Sequence, residues 1–286
     1  MKTLINIFGC GRSGTTMLDL MLGNDANTFS LGEVYAWFRP HRKHHFEIIC
    51  SCTSKERCKY WMKIKDLKED VFHFESFNLL KVDFLIDSSK NLNWGIDNNL
   101  WALDNHIKVF NILIYKDPIN YIYSMWKRGC DVDETIKGYV NYHRRFLQTN
   151  IPFFSVKFED LVNDTDNNLQ RLSNIVGLKF FKNKKDFWLK DHHHIFGSMG
   201  TRKQVEMGSS YIRLKEDFPE EFIQLIPEIK KKINNNKELI KLLDHLNSKK
   251  DNTLSQFIIR KPFWYYLYKL KEIYTRIFPS AWKYNQ

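Results

Sequence analysis

The stretch from Phe8 to Thr16, here called the glycine loop, constrains the fold of this chain more than any other feature. It reads Phe-Gly-Cys-Gly-Arg-Ser-Gly-Thr-Thr. Residues 3–8 are apolar and rich in branched side chains, which predicts a buried β-strand. Residues 17, 18, 21 and 22 are Met or Leu at helical spacing, which predicts a helix with one apolar face. We therefore expect a buried strand that turns through glycines directly into a helix.

A turn of this kind is a ready site for an anion. The unpaired N–H groups of the first helical turn and the positive end of the helix dipole converge on one point. The spacing of Gly9 and Gly14, followed by hydroxyls at Thr15 and Thr16, is close to that of a nucleotide P-loop. Thr15, however, stands where a Walker loop has the lysine that reaches the β- and γ-phosphates. The loop is expected to hold a phosphate but not a triphosphate; a glycine turn without a ligand is the alternative.

Alternating strand and helix patterns extend over most of the chain. Apolar runs predict further strands at 28–31, 82–87, 107–115 and 153–157, with helical stretches between them. This alternation predicts an α/β protein with three layers, a parallel sheet with helices on both faces. Ligands bind such sheets beyond the carboxyl ends of the strands. Because the glycine loop, Ser88, Lys90 and Lys116 all follow predicted strands, we expect them on the same rim.

The end of the strand at 107–115 suggests a second anion site. Lys116 follows the strand, Asp117 is a plausible helix N-cap, and Pro118 suits the first helical position. Ser124 lies two turns into the helix that begins there. A cation at a strand tip beside a hydroxyl on the adjoining helix can hold a second phosphate. The alternative is a solvated basic helix end, in which the cations only offset the helix dipole.

These motifs resemble those of the sulfotransferases that use 3′-phosphoadenylyl sulfate (PAPS). Residues 11–16 resemble the family's 5′-phosphosulfate loop, and Lys116-Asp117-Pro118 with Ser124 resembles its 3′-phosphate motif, with Lys where Arg is usual. Further segments that resemble the family are Asp87-Ser88-Ser89-Lys90, Phe158-Glu159-Asp160-Leu161-Val162, Cys50-Ser51-Cys52 with Cys58 and Trp61, and His194 to Arg202. The resemblance implies a P-loop-NTPase-like sulfotransferase fold. It also implies transfer of a sulfuryl group from PAPS to an acceptor hydroxyl of a glycan, lipid or small molecule.

The same resemblance implies a set of site residues. Arg12 and Lys90 are assigned catalytic roles as donors to the charge on the leaving phosphate. No metal is expected, because the leaving group is a nucleotide phosphate held by these groups. The residues assigned to PAPS are Gly11, Arg12, Ser13, Gly14, Thr15, Thr16, Lys116, Ser124 and Arg202.

Glu33 is assigned as the general base. It aligns with a Gly-Glu pair of family members in which that glutamate takes the proton of the acceptor. Burial among aromatic side chains is expected to raise the pKa of its carboxyl, which would suit a base. The alternatives are that Glu33 caps a helix or pairs with Arg39, and that His41, His44 or His45 is the base.

Other functions fit part of the same pattern. A P-loop kinase is one, because the strand at 82–87 ends in Asp as a Walker B strand does, but the lysine missing at Thr15 argues against it. A non-catalytic nucleotide- or glycan-binding protein is another, because a fold alone does not give activity. The net charge of +11 favours an anionic partner. No basic and aromatic array on one strand face is evident, so nucleic acid is not expected.

The cysteines and the start of the chain bear on location. The first strand begins almost at Met1, and no run approaches the roughly 18 apolar residues of a membrane span. The five cysteines are an odd number, which fits reduced thiols better than a secreted disulfide framework. We therefore expect a cytoplasmic protein.

Two groups of metal-ligand residue types occur in the sequence. Cys50, Cys52 and Cys58, with two histidines nearby, could ligate zinc, but they lack the two paired Cys-x-x-Cys arms of a structural site. Residues 192–194 are all His, and neighbours on an extended chain point in opposite directions. They are expected at the surface or in a lid rather than as ligands, so the sequence predicts no metal site.

The chain is divided into a sulfotransferase domain at 1–250 and a C-terminal part at 251–286. Within the domain, residues 39–61, here called the lid segment, are expected to form a lid or substrate loop. The C-terminal part is expected to be a basic, aromatic, amphipathic helix. At 257–282 it either packs on the domain or on a second copy of the chain, or it lies on an anionic membrane at the inner face. Packing is favoured because it is the more common fate of such a helix.

Overall fold

The computed structural model describes residues 1–40, 42–208, 217–250 and 258–277. The strands are β1 (Thr3–Phe8), β2 (Thr28–Gly32), β3 (Phe84–Asp87), β4 (Lys108–Tyr115) and β5 (Phe154–Lys157). They pair in parallel in the order β2-β3-β1-β4-β5. The parallel sheet predicted from the alternating pattern is confirmed.

Helices connect and follow these strands. They are α1 (Thr15–Leu22), α2 (Tyr35–Phe38), α3 (Trp61–Ile64), α4 (Phe72–Leu80), α5 (Leu92–Asp104), α6 (Pro118–Trp126), α7 (Val132–Gln148), α8 (Phe158–Asn163), α9 (Thr165–Val176), α10 (Met199–Met207), α11 (Glu220–Asn235), α12 (Lys237–Ser248) and α13 (Phe263–Ile277). Short 3-10 turns lie at Lys43–His45, Lys55–Arg57 and Phe187–Leu189. None of the helices in the described ranges is long and apolar enough to cross a membrane.

The sheet is covered on both faces, which gives the three layers expected. Ile5 and Ile7 of β1 lie in one core cluster with residues of α1 and α9. Phe8 points to the opposite face, where it lies in a cluster with residues of α5, α6 and α7. Successive side chains of a strand point to opposite faces, so a strand buried on both sides is mostly apolar. The α/β class and the helices on both faces are therefore confirmed.

The parallel register brings the functional candidates to one edge of the sheet. Asn6 of β1 pairs with Asp87 of β3, and Phe8 pairs with Leu113 of β4. The carboxyl ends of these strands therefore meet, and the segments that follow them share one rim. The rim carries the glycine loop after β1, Glu33 after β2, Lys90 after β3 and Lys116 after β4.

Two segments differ from their predicted form. The helical stretch expected between the strands at 28–31 and 82–87 is divided, since α3 and α4 are separated by turns at 65–71, where charged residues interrupt the apolar spacing. The described part of the lid segment contains the 3-10 turns Lys43–His45 and Lys55–Arg57 and an antiparallel bridge between Cys50 and Ile195. Its role as a lid stays a prediction, and His41 lies outside the described residues.

Helix α13 packs on the domain through one side. Tyr265 Oη and Lys269 Nζ donate to the two oxygens of Asp97 at 2.7 and 2.6 Å, and Arg39 Nε donates to Glu272 at 3.3 Å. The large apolar side chains on its exposed side are Phe263, Tyr266, Leu267, Leu270, Ile273 and Tyr274. Contact of residues 257–282 with a membrane or a second copy stays a prediction, as does the domain division at 250, and part of that region lies outside the described residues.

Candidate active site

The three glycines of the loop differ in whether the fold itself leaves room for a side chain at that position. Gly9 has φ +154° and a side-chain Cβ there would lie 2.4 Å from the carbonyl oxygen of Ile114. Gly14 has φ +96° and its Cβ would lie 2.4 Å from the ring of Phe158. Gly11 lies outside the left-handed region, is exposed, and has no atom within 4 Å of its Cβ position. The backbone at Gly11 is therefore open in the direction in which a side chain would project.

The start of α1 is ready to accept an anion. No side chain among the described residues caps this helix, and its first hydrogen bond runs from Leu18 N–H to the Gly14 carbonyl at 3.0 Å. The Ser13 N–H donates to the Cys10 carbonyl at 3.1 Å, whereas no hydrogen bond within the described residues occupies the N–H groups at 14–16. Ser13 Oγ is fully buried and makes no hydrogen bond within the described part of the chain. A buried orphan hydroxyl beside an uncapped helix start fits the phosphate of a nucleotide.

Residues 194–202, here called the cover segment, lie across the glycine loop. Ser198 N–H donates to Thr16 Oγ1 at 3.0 Å, and Arg12 Nη1 donates to Ser198 Oγ at 3.2 Å. Arg12 adopts φ +77°, a left-handed conformation that is unfavourable for a residue with a side chain and is often found at functional sites. Arg202 instead donates to the carbonyl oxygen of Ile49 in the lid segment at 2.9 Å. A role for Arg202 in nucleotide binding stays a prediction.

The second predicted motif forms a cation–hydroxyl pair at the rim. Lys116 Nζ lies 3.3 Å from Ser124 Oγ and 4.4 Å from the centre of the Phe158 ring. Asp117 is the N-cap of α6, since its side chain accepts from Ile119 N–H at 3.0 Å. The predicted cap is confirmed. The pair follows β4, the neighbour of β1, so it lies beside the glycine loop along the rim.

Glu159 fixes this second motif in place. One of its oxygens accepts from the backbone N–H of Asp117 at 3.0 Å, and the other accepts from the side chain of Asn120 at 2.8 Å. Glu159 belongs to residues 158–162, which resemble a segment of the sulfotransferase family but were assigned no role from the sequence. In the structure its carboxylate orients the first turn of α6, and with it the direction in which Ser124 faces.

Glu33 and Lys90 form an ion pair between the ends of β2 and β3. Burial raises the pKa of the Glu33 carboxyl, but the charge and hydrogen bond of Lys90, with His194 and His45, outweigh it and hold the pKa below its ordinary value of 4.5. The expectation of a raised pKa is therefore wrong, because a cation and not an aromatic cage neighbours the carboxylate. Arg39 pairs with Glu69 at 2.8 Å and with Glu272 rather than with Glu33.

A buried set of polar groups stands behind the Glu33–Lys90 pair. His194 Nε2 lies 3.4 Å from Asp19 Oδ2, and Ser88 Oγ donates to the same oxygen at 2.6 Å. His194, Asp19 and Ser88 are all fully buried, and His192 is 3% exposed. The histidine run was expected at the surface or in a lid; the surface position is wrong for these two histidines, and the lid position stays a prediction. Sequence reasoning missed Asp19, which looks like one more residue of an amphipathic helix.

Tyr142 of α7 was also missed. The N–H of Gly9 donates to Tyr142 Oη at 3.0 Å, and Tyr142 Oη donates to the carbonyl oxygen of Lys90 at 2.9 Å. This hydroxyl joins the glycine loop to the turn that presents Lys90. Lys90 itself adopts φ +64°, so its backbone is held in a left-handed conformation. No local sequence signal marks a helix tyrosine that will reach two loops.

Asp87 ends β3 at the position of a Walker B aspartate, but its carboxylate accepts hydrogen bonds from groups inside the protein. Its oxygens accept from Trp94 Nε1 at 2.6 Å, Asn98 Nδ2 at 3.2 Å and Ser89 N–H at 2.9 Å, and His73 Nε2 lies 3.5 Å away. It is 2% exposed. Burial raises its pKa, but His73 and these donors outweigh it and lower the pKa. A carboxylate held in this way argues against a magnesium–nucleotide role.

Solved structures of known proteins share this architecture. The sulfotransferase domain from the curacin biosynthetic pathway matches with a TM-score of 0.52 at 14% identity, over 80% of this chain and 98% of that domain. The sulfotransferase domain from the Synechococcus PCC 7002 olefin synthase matches with a TM-score of 0.52 at 14% identity, over 89% of this chain and 96% of that domain. The fold is that of sulfotransferase domains.

Identity this low shows the fold alone. No family model matches the chain, and no curated protein matches it by sequence. The residues of the site form two cationic, hydroxyl-bearing groups at neighbouring strand ends, each a candidate anion site, with a carboxylate–ammonium pair on the same rim.

Proposed function

We propose that this protein transfers a sulfuryl group from PAPS to the hydroxyl of an acceptor. The observation that carries the proposal is the pair of anion sites on one rim. The glycine loop offers an open backbone at Gly11 and an orphan hydroxyl at Ser13, and Lys116 with Ser124 forms a separate site at the next strand end. A nucleotide with phosphates at its 5′ and 3′ positions would use both sites, whereas a nucleoside triphosphate would leave the second one unused.

The residues of the rim have distinct roles in this proposal. PAPS supplies an activated sulfuryl group, whose bond to the 5′-phosphate breaks as a bond to the acceptor oxygen forms. Arg12, Lys90 and the N–H groups at 14–16 carry the negative charge of the leaving phosphate. Glu33 accepts the proton of the acceptor hydroxyl. Its lowered pKa keeps it ionised at neutral pH, ready to accept that proton.

Binding of adenosine 3′,5′-bisphosphate, the nucleotide product, tests the two-site arrangement directly. Replacing Lys116 by Met removes the cation of the 3′-phosphate site and leaves the glycine loop intact. A hydrogen bond to a charged group contributes about 1.5–3 kcal/mol, so affinity for the bisphosphate should fall about 10- to 100-fold. Affinity for 5′-AMP, which lacks the 3′-phosphate, should change less than about twofold. Titration calorimetry without magnesium measures both.

A matched control is available on α7. Lys137 is exposed and pairs with Glu134 at 2.7 Å on the surface of α7, so Lys137→Met changes the net charge equally without touching the rim. This variant should bind both nucleotides as the unmodified protein does. An equal loss for both nucleotides in Lys116→Met, or no loss for either, would contradict the assignment of Lys116 to a 3′-phosphate.

Transfer itself needs a separate measurement. Labelled sulfate should move from PAPS into at least one member of a panel of glycans, lipid headgroups and phenols, and Glu33→Gln should bind the bisphosphate but lose most of this turnover. Nucleotide binding without transfer to any acceptor would favour a non-catalytic binding protein. Magnesium-dependent turnover of ATP would instead favour a kinase.

A further inference from the structure

Three thiols and one imidazole meet between the lid segment and the chain just before the cover segment. The side-chain ligand atoms of Cys50, Cys52, Cys58 and His193 all lie within 4.8 Å of one another. The three cysteines are at most 3% exposed, and they carry free thiols. The fourth member comes from 135 positions beyond Cys58, which is why spacing in the sequence did not reveal it.

Two distances within the cluster are close to those of a tetrahedral site. Cys58 Sγ lies 3.3 Å from His193 Nδ1, and Cys50 Sγ lies 3.8 Å from the same nitrogen. Zinc bonds of about 2.3 Å to sulfur and 2.0–2.1 Å to nitrogen place tetrahedral ligand atoms roughly 3.5–3.8 Å apart. We propose that Cys50, Cys52, Cys58 and His193 bind one structural zinc ion.

Neighbouring residues fix the orientation of the proposed ligands. The His193 ring is stacked on Phe29 at 5.9 Å with an interplanar angle of 3°, and it also contacts Tyr60 at 4.2 Å. Trp61 Nε1 donates to the His193 carbonyl at 2.5 Å, and the Cys52 N–H points to Cys50 Sγ at 3.5 Å. Partners that fix the orientation of ligand side chains are typical of metal sites.

The net charge of the proposed zinc site has a nearby cation to balance it. Three thiolates, a neutral imidazole and Zn²⁺ carry one net negative charge. The guanidinium of Arg202 donates to the carbonyl of Ile49, the residue before Cys50, at 2.9 Å. A cation in this place would offset the charge of the site. A disulfide between two of the thiols would leave the third thiol and the ring nitrogen of His193 without a role. A zinc ion would use all four ligand atoms.

The ion would fix the lid segment against the active-site rim. Cys50 bridges to Ile195, and Ser51 N–H donates to the His194 carbonyl at 3.0 Å. The residues that follow His193 contact the active-site rim. His194 lies next to Asp19, and Ser198 donates to Thr16 of the glycine loop. Four protein ligands leave no open position, so the ion would be structural and take no part in the reaction. This inference does not depend on sulfuryl transfer.

Metal analysis of the full chain, purified with a reductant and without chelators, tests the site. About one zinc per chain is expected. Cys58→Ser and His193→Asn should each lose most of it, while Cys130→Ser, which removes a thiol outside the cluster, should keep it. Cobalt substitution should give the visible bands of tetrahedral Co²⁺ together with thiolate charge-transfer bands. Zinc retained in Cys58→Ser, or lost equally in Cys130→Ser, would overturn the proposal.

A measurement on the unmodified protein covers the case in which the cluster variants do not fold. Stepwise modification of the thiols with a mercurial should release zinc in proportion to the reaction of three of them. Five thiols that react in a zinc-free protein, or a disulfide within 50–58 in the reduced preparation, would also overturn the proposal.

Discussion

Gly11 offers the sharpest test of the glycine loop at the scale of a single residue. Its conformation and its surroundings both tolerate a methyl group, so Gly11→Ala should change the free energy of unfolding by less than about 0.5 kcal/mol. The added Cβ would nevertheless fill the open space at the glycine loop, where we propose that the 5′-phosphate binds. Affinity for adenosine 3′,5′-bisphosphate should therefore fall at least about tenfold in calorimetric titration.

Gly138 supplies the control for that substitution. It lies within α7 and also has no atom within 4 Å of its Cβ position. Gly138→Ala should stabilise the helix by up to about 1 kcal/mol and leave nucleotide affinity unchanged. Binding by Gly11→Ala that equals that of the unmodified protein would remove the argument that the open backbone faces a ligand.

The Glu33–Lys90 pair predicts a pH dependence. Because the pKa of Glu33 is held below 4.5, the carboxylate is present at all higher pH values and is lost only as the pH falls through that lowered pKa. Acceptor sulfation should therefore show an acidic limb below about pH 4.5. In Lys90→Met the opposing cation is gone and burial remains, so the limb should move to higher pH. The pH profile of kcat measures this.

Lys90→Met also slows the reaction, but a slower reaction lowers kcat by the same factor at every pH. The pH at which the acidic limb falls is therefore still informative. An acidic limb at the same pH in both proteins would mean that another group is the base. His45, buried and close enough to affect the pKa of Glu33, would then be the next candidate.

At the scale of elements, the sequence predicts most reliably what is decided locally. The start of α6 is an example: Asp117 and Pro118 are a cap and a first-turn residue whatever the rest of the chain does. Tyr142, Asp19 and His193 could not be found in this way. Each matters only because a distant segment is folded against it, and nothing in its own neighbourhood records that contact.

Helix α13 depends on such distant contacts for its position. Asp97 accepts from both Tyr265 and Lys269, so Asp97→Ala removes two of its anchors at once. We expect faster amide hydrogen exchange over 263–277, with little change in the central strands, because local opening need not unfold the sheet. Asp104→Ala, at the exposed end of the same helix α5, is the control. Unchanged exchange at 263–277 would show that the remaining contacts suffice.

At the scale of the whole molecule, the parallel sheet decides which segments can act together. The order β2-β3-β1-β4-β5 places β1 between β3 and β4, so the glycine loop lies between Lys90 on one side and Lys116 on the other. The sequence predicts a common rim, because all these residues follow strands. It does not predict their order along the rim, which depends on how strands distant in the chain pair.

A ligand that uses both cation sites should stabilise the whole domain, and this should not require magnesium. A ligand present at 100 times its Kd adds about 2.7 kcal/mol to the free energy of unfolding, which corresponds to a rise in Tm of several degrees. Adenosine 3′,5′-bisphosphate should produce this rise in thermal denaturation, whereas 5′-AMP at the same concentration should produce less. Magnesium is best left out rather than chelated, because EDTA would also remove zinc from the cysteine cluster. A rise that appears only with magnesium, or one that is greatest with ATP, would instead favour a triphosphate site and would count against the roles assigned to Lys116 and Ser124.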